Sequence, residues 1–503
     1  MPRFPASFAW GVATSAYQIE GGVGEDGGGE SIWDAFCRKP GAIRNGDTGK
    51  VAADHYHRWL EDTALMADLG ISTYRFSIAW PRVQPDGTGP ANPAGLDFYD
   101  RLTDALLAAG ITPMATLYHW DLPQPLEDKG GWMSRQTAQR FADYARQAAR
   151  RLGDRIPLWI TLNEPVVVTT YGYWLGIHAP GKTLALDALP TAHHQLLGHG
   201  LAAAALRAEG AAGVAIANNY SPAWPASNIE ADAAAAHAYD ILHNRLFTDP
   251  WLLGRYPDLS AFGTGESGLD CVRDGDLEII SVPVDALGVN YYCPARVASA
   301  PAAPLTFRLE PIAGYPVTAF GWPVVPAGLT EVLTLLHERY GEQLPPVYIT
   351  ENGCSVDDRP GADGAIDDQP RIRYLDGHIR AVADAMTAGV DVRGYLTWSL
   401  LDNFEWAEGY QQRFGLVYVD FASRRRTPKA SFGWYRDMIA AQRGGLAADG
   451  HSTAGPARTL PVPFSTPRPG ELARGADAQI GQRRPRRPGT AHPVDPAAWR
   501  SGG

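Results

Sequence analysis

The stretch Leu158-Trp159-Ile160-Thr161-Leu162-Asn163-Glu164-Pro165 is an apolar run that ends abruptly in polar side chains. β-Branched and aromatic residues in such a run are typical of a buried strand. Seven further short runs of the same character occur before and after it. The eight predicted strands cover residues 8–14, 73–80, 112–120, 158–164, 214–220, 286–292, 347–352 and 394–401.

Helical patterns lie between most of the predicted strands. They cover residues 55–69, 96–109, 136–152, 191–208, 329–340 and 371–388. Strands that alternate with helices pair in parallel through right-handed crossovers. Eight such units predict a single closed (β/α)8 TIM barrel with elaborated βα loops. The alternative is an open, doubly wound sheet, but no Gly-x-Gly-x-x-Gly motif follows an early strand.

Reactive side chains gather at the carboxyl ends of the predicted strands. In a TIM barrel, these ends and the loops that follow them build the active site. A local hydrogen bond would explain one such residue, but the repetition along successive strands predicts a functional site. The residues concerned are Arg75 and Trp80, His119-Trp120-Asp121, Asn163-Glu164, Asn218-Asn219-Tyr220, Asn290 with Tyr292, Glu351-Asn352, and Trp398.

Two of these residues, Glu164 and Glu351, end the fourth and seventh predicted strands. Glycoside hydrolysis needs two carboxyl groups, one to protonate the leaving oxygen and one to face the anomeric carbon. Their surroundings should push the two pKa values apart, so that one group is protonated and the other ionised near neutrality. The pair therefore indicates a glycosidase.

Several longer motifs resemble glycoside hydrolase family 1. The ordered set spans roughly residues 4–443, which makes it far more specific than any single tripeptide. Within the family, the chain is most similar in character to bacterial β-glucosidases. The motifs are Phe8-Ala9-Trp10-Gly11-Val12-Ala13-Thr14-Ser15-Ala16-Tyr17-Gln18-Ile19-Glu20-Gly21, Tyr74-Arg75-Phe76-Ser77, Tyr118-His119-Trp120-Asp121-Leu122-Pro123, Thr161-Leu162-Asn163-Glu164-Pro165, His178-Ala179-Pro180-Gly181, Ile349-Thr350-Glu351-Asn352-Gly353 and Asp402-Asn403-Phe404-Glu405-Trp406.

The resemblance implies a retaining exo-β-glucosidase that uses neither metal nor organic cofactor. It would remove terminal β-D-glucosyl residues through a covalent glycosyl-enzyme intermediate. By this resemblance, Glu164 is the acid/base and Glu351 the nucleophile. Arg75 and Tyr292 are expected beside the nucleophile, where the cation would lower the pKa of Glu351. Asn290 is expected near the acid/base.

The same resemblance implies a set of sugar-binding residues. Asn163 would donate to the sugar 2-hydroxyl, and Tyr292 would also contact substrate. Glu405 would be ionised, would bridge the 4- and 6-hydroxyls, and would therefore refuse a 6-phosphate. The residues expected at the 3- and 4-hydroxyls are Gln18, His119 and Trp120; those expected under and beside the ring are Trp398 and Trp406; and those expected along the aglycone wall are Trp322, Phe414 and Trp174.

One group of alternative activities stays open, and three others fit the sequence less well. A β-galactosidase or β-fucosidase of the same family stays open, because these sugars differ by contacts that residue types do not rank. A non-catalytic sugar-binding barrel would be expected to lack one glutamate, and a 6-phospho-β-glycosidase would carry Ser and Lys instead of the pair Glu405-Trp406. A Schiff-base aldolase would need a buried lysine, yet none of the five lysines ends a predicted strand.

Charge and composition narrow the partners and the location. The net charge of −11 argues against a nucleic-acid or anionic-membrane binder, and no apolar run approaches the length of a membrane helix. The expected partners are small β-glucosides and cello-oligosaccharides, with a role in cellulose degradation. The N-terminal residues lack a signal-peptide core, and the four cysteines form no CxxC pair. Both observations favour the cytoplasm.

The last part of the chain differs in composition from the rest. Residues 451–503 carry eight arginines, no lysine, three acidic residues and nine prolines, with few large apolar residues. Such a segment buries too little surface to offset the entropy of ordering. We therefore predict a catalytic domain over residues 1–445 and a disordered tail over residues 446–503.

Deletion of residues 450–503 should leave both activity and melting temperature nearly unchanged, because this segment has no core-forming pattern. Thermal unfolding and hydrolysis rates of the full-length and shortened proteins check this. An insoluble or inactive shortened protein would mean that the tail packs against the barrel.

Overall fold

A computed structural model describes residues 1–262, 269–303 and 305–448. Its strands are β1 (Ala9–Ala13), β2 (Thr73–Ser77), β3 (Thr112–Tyr118), β4 (Leu158–Asn163), β5 (Val214–Asn219), β6 (Ala223–Pro225), β7 (Ala286–Asn290), β8 (Ala295–Ser299), β9 (Phe307–Glu310), β10 (Val347–Asn352), β11 (Val392–Trp398), β12 (Val417–Val419) and β13 (Arg426–Pro428). Eight of them, β1, β2, β3, β4, β5, β7, β10 and β11, pair in parallel and close into a barrel. The predicted (β/α)8 barrel is thus confirmed.

Helices surround this barrel and follow its strands. The α-helices are α1 (Ala16–Ile19), α2 (Ile32–Cys37), α3 (His55–Leu69), α4 (Trp80–Val83), α5 (Pro93–Ala108), α6 (Gln124–Glu127), α7 (Arg135–Leu152), α8 (Pro165–Val167), α9 (Leu189–Ala208), α10 (Glu230–Asp240), α11 (Asp249–Leu253), α12 (Asp276–Ile280), α13 (Pro326–Tyr340), α14 (Gln369–Thr387) and α15 (Ala430–Ala448). Two π-helical segments, Val168–Trp174 and Ile241–Arg245, extend the chain after α8 and α10. The six predicted helices correspond to α3, α5, α7, α9, α13 and α14.

Helix α7 illustrates why the outer layer packs as it does. Its buried residues include Phe141, Tyr144, Ala148 and Leu152, which recur at helical spacing on one face. The opposite face carries arginines such as Arg150, which lies exposed in the last turn. An amphipathic pattern of this kind turns its apolar stripe toward the barrel.

The barrel interior is a packed core that supports the site above it. Small and branched side chains fill it, as is usual in this fold. They belong to a cluster of buried residues that ends upward at Trp398: Ala13, Met114, Ile160, Ala215, Ala217, Ala286 and Leu396. The polar side chains at the carboxyl ends of the strands lie above this apolar layer.

Trp80 differs from its sequence-based interpretation. It begins helix α4 instead of ending a strand, and its ring is fully buried against Tyr144 at a centroid distance of 5.1 Å. Pro81 favours this change, because proline is well tolerated in the first turn of a helix. Trp80 is therefore a core residue that lies away from the strand-end site.

The described part of the chain contains no helix that is both long and apolar enough to cross a membrane. Helix α15 runs through residue 446, where the predicted tail begins, and ends at Ala448. Residues 449–503 lie outside the described residues, so the disordered tail stays a prediction.

Gly353, directly after β10, permits two strand ends to approach closely. A Cβ atom at this position would lie 1.8 Å from the carbonyl oxygen of Trp398, the last residue of β11. Backbone cannot yield as a flexible side chain can, so the clash would separate these strand ends. The close approach keeps Glu351 and Trp398 at the same rim of the barrel.

Gly353→Ala should lower the free energy of unfolding by about 2 kcal/mol, because overpacking a tight site typically costs about 1–3 kcal/mol. Chemical denaturation measures the change. Gly433→Ala is the matched control: a Cβ there meets nothing within 4 Å, and Gly433 lies in helix α15. It should be neutral or stabilising by about 0.5–1 kcal/mol. Equal losses in both variants would contradict the role of the close approach.

Candidate active site

A pocket opens at the carboxyl ends of the barrel strands. It encloses about 830 Å³, part of which is continuous with solvent. Carboxyl groups and aromatic rings dominate its wall, a combination suited to the hydroxyl edge and the apolar face of a sugar. The wall consists of His119, Trp120, Glu164, Val167, Tyr171, Ile177, His178, Asn219, Tyr292, Phe320, Trp322, Glu351, Trp398, Glu405, Trp406, Ala407, Glu408 and Phe414.

Glu164 and Glu351 both face this pocket, from strands on opposite sides of Asn290. Glu351 belongs to β10, and Glu164 directly follows β4. Glu164 has a left-handed backbone with φ of 46°. Non-glycine residues avoid this region, and such strain commonly marks functional sites. The turn lets Pro165 start helix α8 at once, while the Glu164 side chain stays at the strand end.

Arg75 connects the nucleophile candidate to the neighbouring strands. This fully buried guanidinium donates through Nη1 to Glu351 Oε1 at 2.6 Å and through Nη2 to Asn163 Oδ1 at 2.6 Å. Its Nε donates to Thr116 Oγ1 at 3.0 Å. Tyr292 OH donates to the other oxygen, Glu351 Oε2, at 2.8 Å. Both oxygens of Glu351 therefore accept hydrogen bonds, which stabilise its ionised form.

Asn290 connects the acid/base candidate to the same network. Its Nδ2 donates to Glu164 Oε1 at 2.7 Å and to Asn163 Oδ1 at 3.0 Å. Asn219 Nδ2 donates to the same oxygen of Glu164 at 3.1 Å. Glu164 thus has neutral amides as hydrogen-bond partners, whereas Glu351 has a cation.

Asn163 is oriented by these contacts. Because its Oδ1 accepts from Arg75 and Asn290, its amide nitrogen faces the other way and lies 3.1 Å from His119 Nε2. Burial holds the pKa of His119 well below its usual range, so the ring is neutral and can accept. One of the two amide hydrogens of Asn163 is used here, which leaves the second for a substrate hydroxyl.

Glu405 lies across the pocket with aromatic residues around it. Gln18 Nε2 donates to Glu405 Oε2 at 3.4 Å, and also to Asn403 Oδ1 and the Phe404 carbonyl. The neighbouring Trp406 lies against the Trp120 ring at a centroid distance of 4.6 Å.

The floor and the outer wall are also aromatic. The ring of Trp398 lies nearly parallel to that of His119 at 5.8 Å. Farther out, Trp322 lies 5.3 Å from the Tyr292 ring and 6.1 Å from that of Phe414. Aromatic faces of this kind suit the apolar side of a pyranose or an aglycone.

Comparison with known proteins agrees with this geometry. The model of Glycosyl hydrolase family 1 matches residues 1–444. The chain belongs to this family. The thermostable beta-glucosidase B of Thermobispora bispora is 50% identical over 452 residues, which cover 88% of this chain and 91% of that protein. The bifunctional beta-D-glucosidase/beta-D-fucosidase of Bifidobacterium breve is 45% identical over 461 residues, with coverage of 87% and 98%.

A solved structure in the family has the same fold. The crystal structure of a psychrophilic beta-glucosidase from Micrococcus antarcticus matches with a TM-score of 0.85 and 45% identity. The match covers 88% of this chain and all of that one. The family 1 match ends at residue 444, within helix α15, close to residue 443, where the resemblance in the sequence ended.

The two catalytic candidates of this family 1 enzyme differ in their electrostatics. Burial raises the pKa of Glu164 to about 8, and the nearby Glu351 carboxylate adds to the rise. Burial also raises the pKa of Glu351, but the contact with Arg75 opposes this. The Arg75 contact therefore favours the charged form of Glu351, while Glu164, with a pKa of about 8, keeps its proton at neutral pH.

Glu405 does not behave as the sequence suggested. Burial raises its pKa to about 8, and the Glu351 and Glu408 carboxylates contribute further. The expectation that Glu405 is ionised at neutral pH is thus wrong. A protonated carboxyl donates one hydrogen bond as well as accepting others, which still suits a pair of hydroxyls.

The predicted site residues fall into two layers. The pocket wall includes Glu164, Glu351, His119, Trp120, Tyr292, Trp322, Trp398, Glu405, Trp406 and Phe414. Behind it lies a hydrogen-bonded layer of Gln18, Arg75, Asn163 and Asn290. Trp174 lies outside the main pocket and lines a neighbouring cavity.

Asn219 is the main residue whose contact sequence reasoning missed. It ends β5, and that position was its only signal, because an asparagine carries no distinctive motif. Five further wall residues carry no signal in the sequence that assigns them a role: Val167, Tyr171, Ile177, Ala407 and Glu408. Among the described residues, no three His, Cys, Asp or Glu side chains group as a metal site.

The pH profile should report Glu164. For methyl β-glucoside, kcat/KM should fall above about pH 8, because the acid must be protonated to assist departure. Asn219→Ala should shift this limb to higher pH, since the Asn219 hydrogen bond lowers the pKa of Glu164. Steady-state kinetics over pH 5–10 measures both profiles.

A dinitrophenyl β-glucoside is the control, because its leaving group needs no proton. Any alkaline limb that it retains reports Glu405 instead. An identical limb in wild type and Asn219→Ala would contradict the assignment to Glu164.

Proposed function

We propose that this family 1 enzyme is a retaining exo-β-glucosidase with Glu351 as nucleophile and Glu164 as acid/base. One observation carries the proposal: Glu164 and Glu351 face one pocket, and of these two described carboxyls Glu351 is the one that contacts a cation, Arg75. This asymmetry supplies an ionised and a protonated group at the same pH. The names of the relatives, which include β-glucosidases, support the substrate class.

In the first step, a Glu351 oxygen attacks the anomeric carbon as the bond to the leaving oxygen breaks. Glu164 transfers its proton to that oxygen, so the aglycone leaves as a neutral alcohol. Bond formation consumes the negative charge on Glu351. The Tyr292 hydroxyl and Arg75 hold the carboxylate in line for the attack.

In the second step, Glu164 accepts a proton from water as the water oxygen attacks the same carbon. The bond to Glu351 breaks and its carboxylate charge returns, facing Arg75. Two inversions give net retention, and Glu164 ends the cycle protonated. A raised pKa of about 8 suits a group that must both give and take this proton.

The remaining residues are proposed to bind the sugar. Asn163 would donate its second amide hydrogen to the 2-hydroxyl, an interaction that strengthens in the transition state. His119 and Trp120 would meet the 3- and 4-hydroxyls, and Gln18, behind the pocket wall, would orient Glu405. Other residues would supply apolar surface: Trp398 and Trp406 at the ring, and Trp322 and Phe414 at the aglycone.

A β-fucosidase or β-galactosidase activity is the second candidate. One relative is named as both a glucosidase and a fucosidase. D-Fucose is D-galactose without the 6-hydroxyl, so the galactoside and the fucoside together isolate the proposed contribution of Glu405 at that position. Specificity constants for nitrophenyl β-glucoside, β-galactoside and β-fucoside rank the three sugars directly.

We also propose cello-oligosaccharides among the substrates and the cytoplasm as the compartment. Four cysteines, all within the described residues, are unpaired. Thiols persist most readily in a reducing compartment. Release of glucose from cellobiose tests the first proposal, and cell fractionation tests the second.

The two glutamates should fail differently when removed. Glu351→Ala should lose turnover by at least about 10⁴-fold on every substrate, since nothing attacks the anomeric carbon. Glu164→Ala should lose about 10²–10⁴-fold on methyl β-glucoside but retain much of its activity on the dinitrophenyl substrate, which needs no acid. Added azide should then yield a β-glucosyl azide.

Glu408→Ala is the matched control, because it removes another carboxyl from the same pocket wall, one that pairs with Arg44. It should change both substrates in similar proportion. If Glu164→Ala also does so, the roles are wrongly assigned.

Hydrolysis should proceed with retention. Retaining enzymes hold their carboxyls about 5–5.5 Å apart, and the first-formed product keeps the configuration of the substrate. Proton NMR of the first turnovers of a β-glucoside should therefore detect β-glucose before mutarotation. α-Glucose as the first product would overturn the double-displacement mechanism.

A further inference from the structure

A second cavity lies beside the active-site pocket. It encloses about 600 Å³, part of it open to solvent, and shares Val167, Tyr171 and Asn219 with the main pocket. The shared residues make the two cavities neighbours along one wall. That wall is also the one that carries the Asn219 contact to Glu164.

Several elements enclose this side cavity, and three of them present apolar residues from separate parts of the chain. In strand β9, Phe307 and Leu309 line the cavity, while Arg308 between them is exposed. This is the alternation of a strand with one buried face. The π-helical segment Val168–Trp174 contributes Trp174, and the segment Ile241–Arg245 contributes Leu242.

Most of the cavity surface is aliphatic or aromatic. Asn219 and His243 also line the cavity, and their side chains are hydrogen-bonded to each other, with His243 Nε2 3.1 Å from Asn219 Oδ1. Burial lowers the pKa of His243 to about 4, so the neutral ring donates to that oxygen. Asn219 uses its nitrogen toward Glu164. The hydroxyl-bearing residues Thr170, Tyr171 and Tyr239 also line the cavity, but apolar side chains make up most of its wall. An alkyl chain therefore suits this space better than a second sugar, whose many hydroxyls would lose water on entering.

The geometry points to this side cavity as the binding site for the alkyl chain of a β-glycoside leaving group. The inference rests on the proposed function, which makes Glu164 the proton donor to the leaving oxygen. A chain attached to that oxygen begins beside Glu164 and reaches the apolar cavity past Asn219 and Val167. The enzyme should therefore prefer alkyl β-glucosides with chains long enough to enter.

Affinity should then rise with chain length. Each methylene that leaves water should raise kcat/KM about threefold to fourfold, until the cavity is filled. Methyl β-glucoside is too short to enter and measures the rest of the machinery. The series of methyl, butyl, hexyl and octyl β-glucosides gives the slope.

Two substitutions at Leu309 test the site. Leu309→Trp should fill the cavity, and Leu309→Asp should place a charge against the chain. Both should lower kcat/KM for octyl β-glucoside by about tenfold or more and flatten the series, because several buried methylenes are lost. Both should leave methyl β-glucoside unchanged, which also shows that the variants fold. Leu335→Asp, at an exposed leucine on α13, is the matched control and should keep the full slope.

Binding without hydrolysis separates this inference from the proposed function. Calorimetry should give octyl β-D-thioglucoside a lower Kd than its methyl analogue in wild type, with the difference lost in Leu309→Asp. A flat alkyl series, or equal losses on methyl and octyl substrates, overturns the cavity assignment while the enzyme remains a β-glucosidase. If wild type cleaves no β-glucoside, the proposed function fails, and the thioglucoside comparison still shows whether the cavity binds the chain.

Discussion

The contact between Arg75 and Glu351 is the interaction around which the polar end of the barrel is organised. A fully buried guanidinium is tolerated only when its charge is paired and its donors are satisfied. Arg75 meets both conditions by bonding across the barrel to Thr116, Asn163 and Glu351, on three other strands. The barrel must therefore close with these strand ends in register. Loss of the arginine would leave Glu351 buried without a cation, with the Tyr292 hydroxyl as its remaining donor.

Arg75 also distinguishes Glu351 from the carboxyls of Glu164 and Glu405. Glu351 faces Arg75, whereas Glu164 and Glu405 face amides, rings and other carboxyls. Like charges in one enclosed pocket cannot all ionise, so charge is held where the cation is. The difference between the proposed nucleophile and the proposed acid thus arises from the position of one side chain on β2. Neither glutamate is chemically special by itself.

The barrel and its two glutamates could be read from the sequence because their signal is local. Each predicted strand is an apolar run, and the run that ends in Asn163-Glu164 shows its own polar terminus. Contacts between distant elements left no such signal. The hydrogen bond from Asn219 to Glu164 depends on the position of β5 in the folded barrel. Trp80 begins a helix instead of ending the predicted strand, because the proline that follows it favours the first turn of a helix.

Electrostatics was the least predictable property, since it depends on neighbours that meet only in the folded chain. The motif around Glu405 suggested an ionised group, yet Glu351 and Glu408 come from separate parts of the sequence to oppose that charge. The side cavity is similar, because β9 and two π-helical segments contribute its walls. A resemblance to a family identifies residues well, but their protonation and the spaces between them require the fold.

The raised pKa values of Glu164 and Glu405 also affect how the stability of the folded protein depends on pH. Glu164 and Glu405 hold protons up to about pH 8 in the folded protein, whereas in the unfolded chain they release them near pH 4.3. Between these values the folded state binds more protons, so stability falls as pH rises through that window. The carboxyls that serve catalysis thus lower the free energy of unfolding in alkaline solution. Glutamines at positions 164 and 405 would remove this pH dependence and stabilise the barrel there, but the protein would lose its activity.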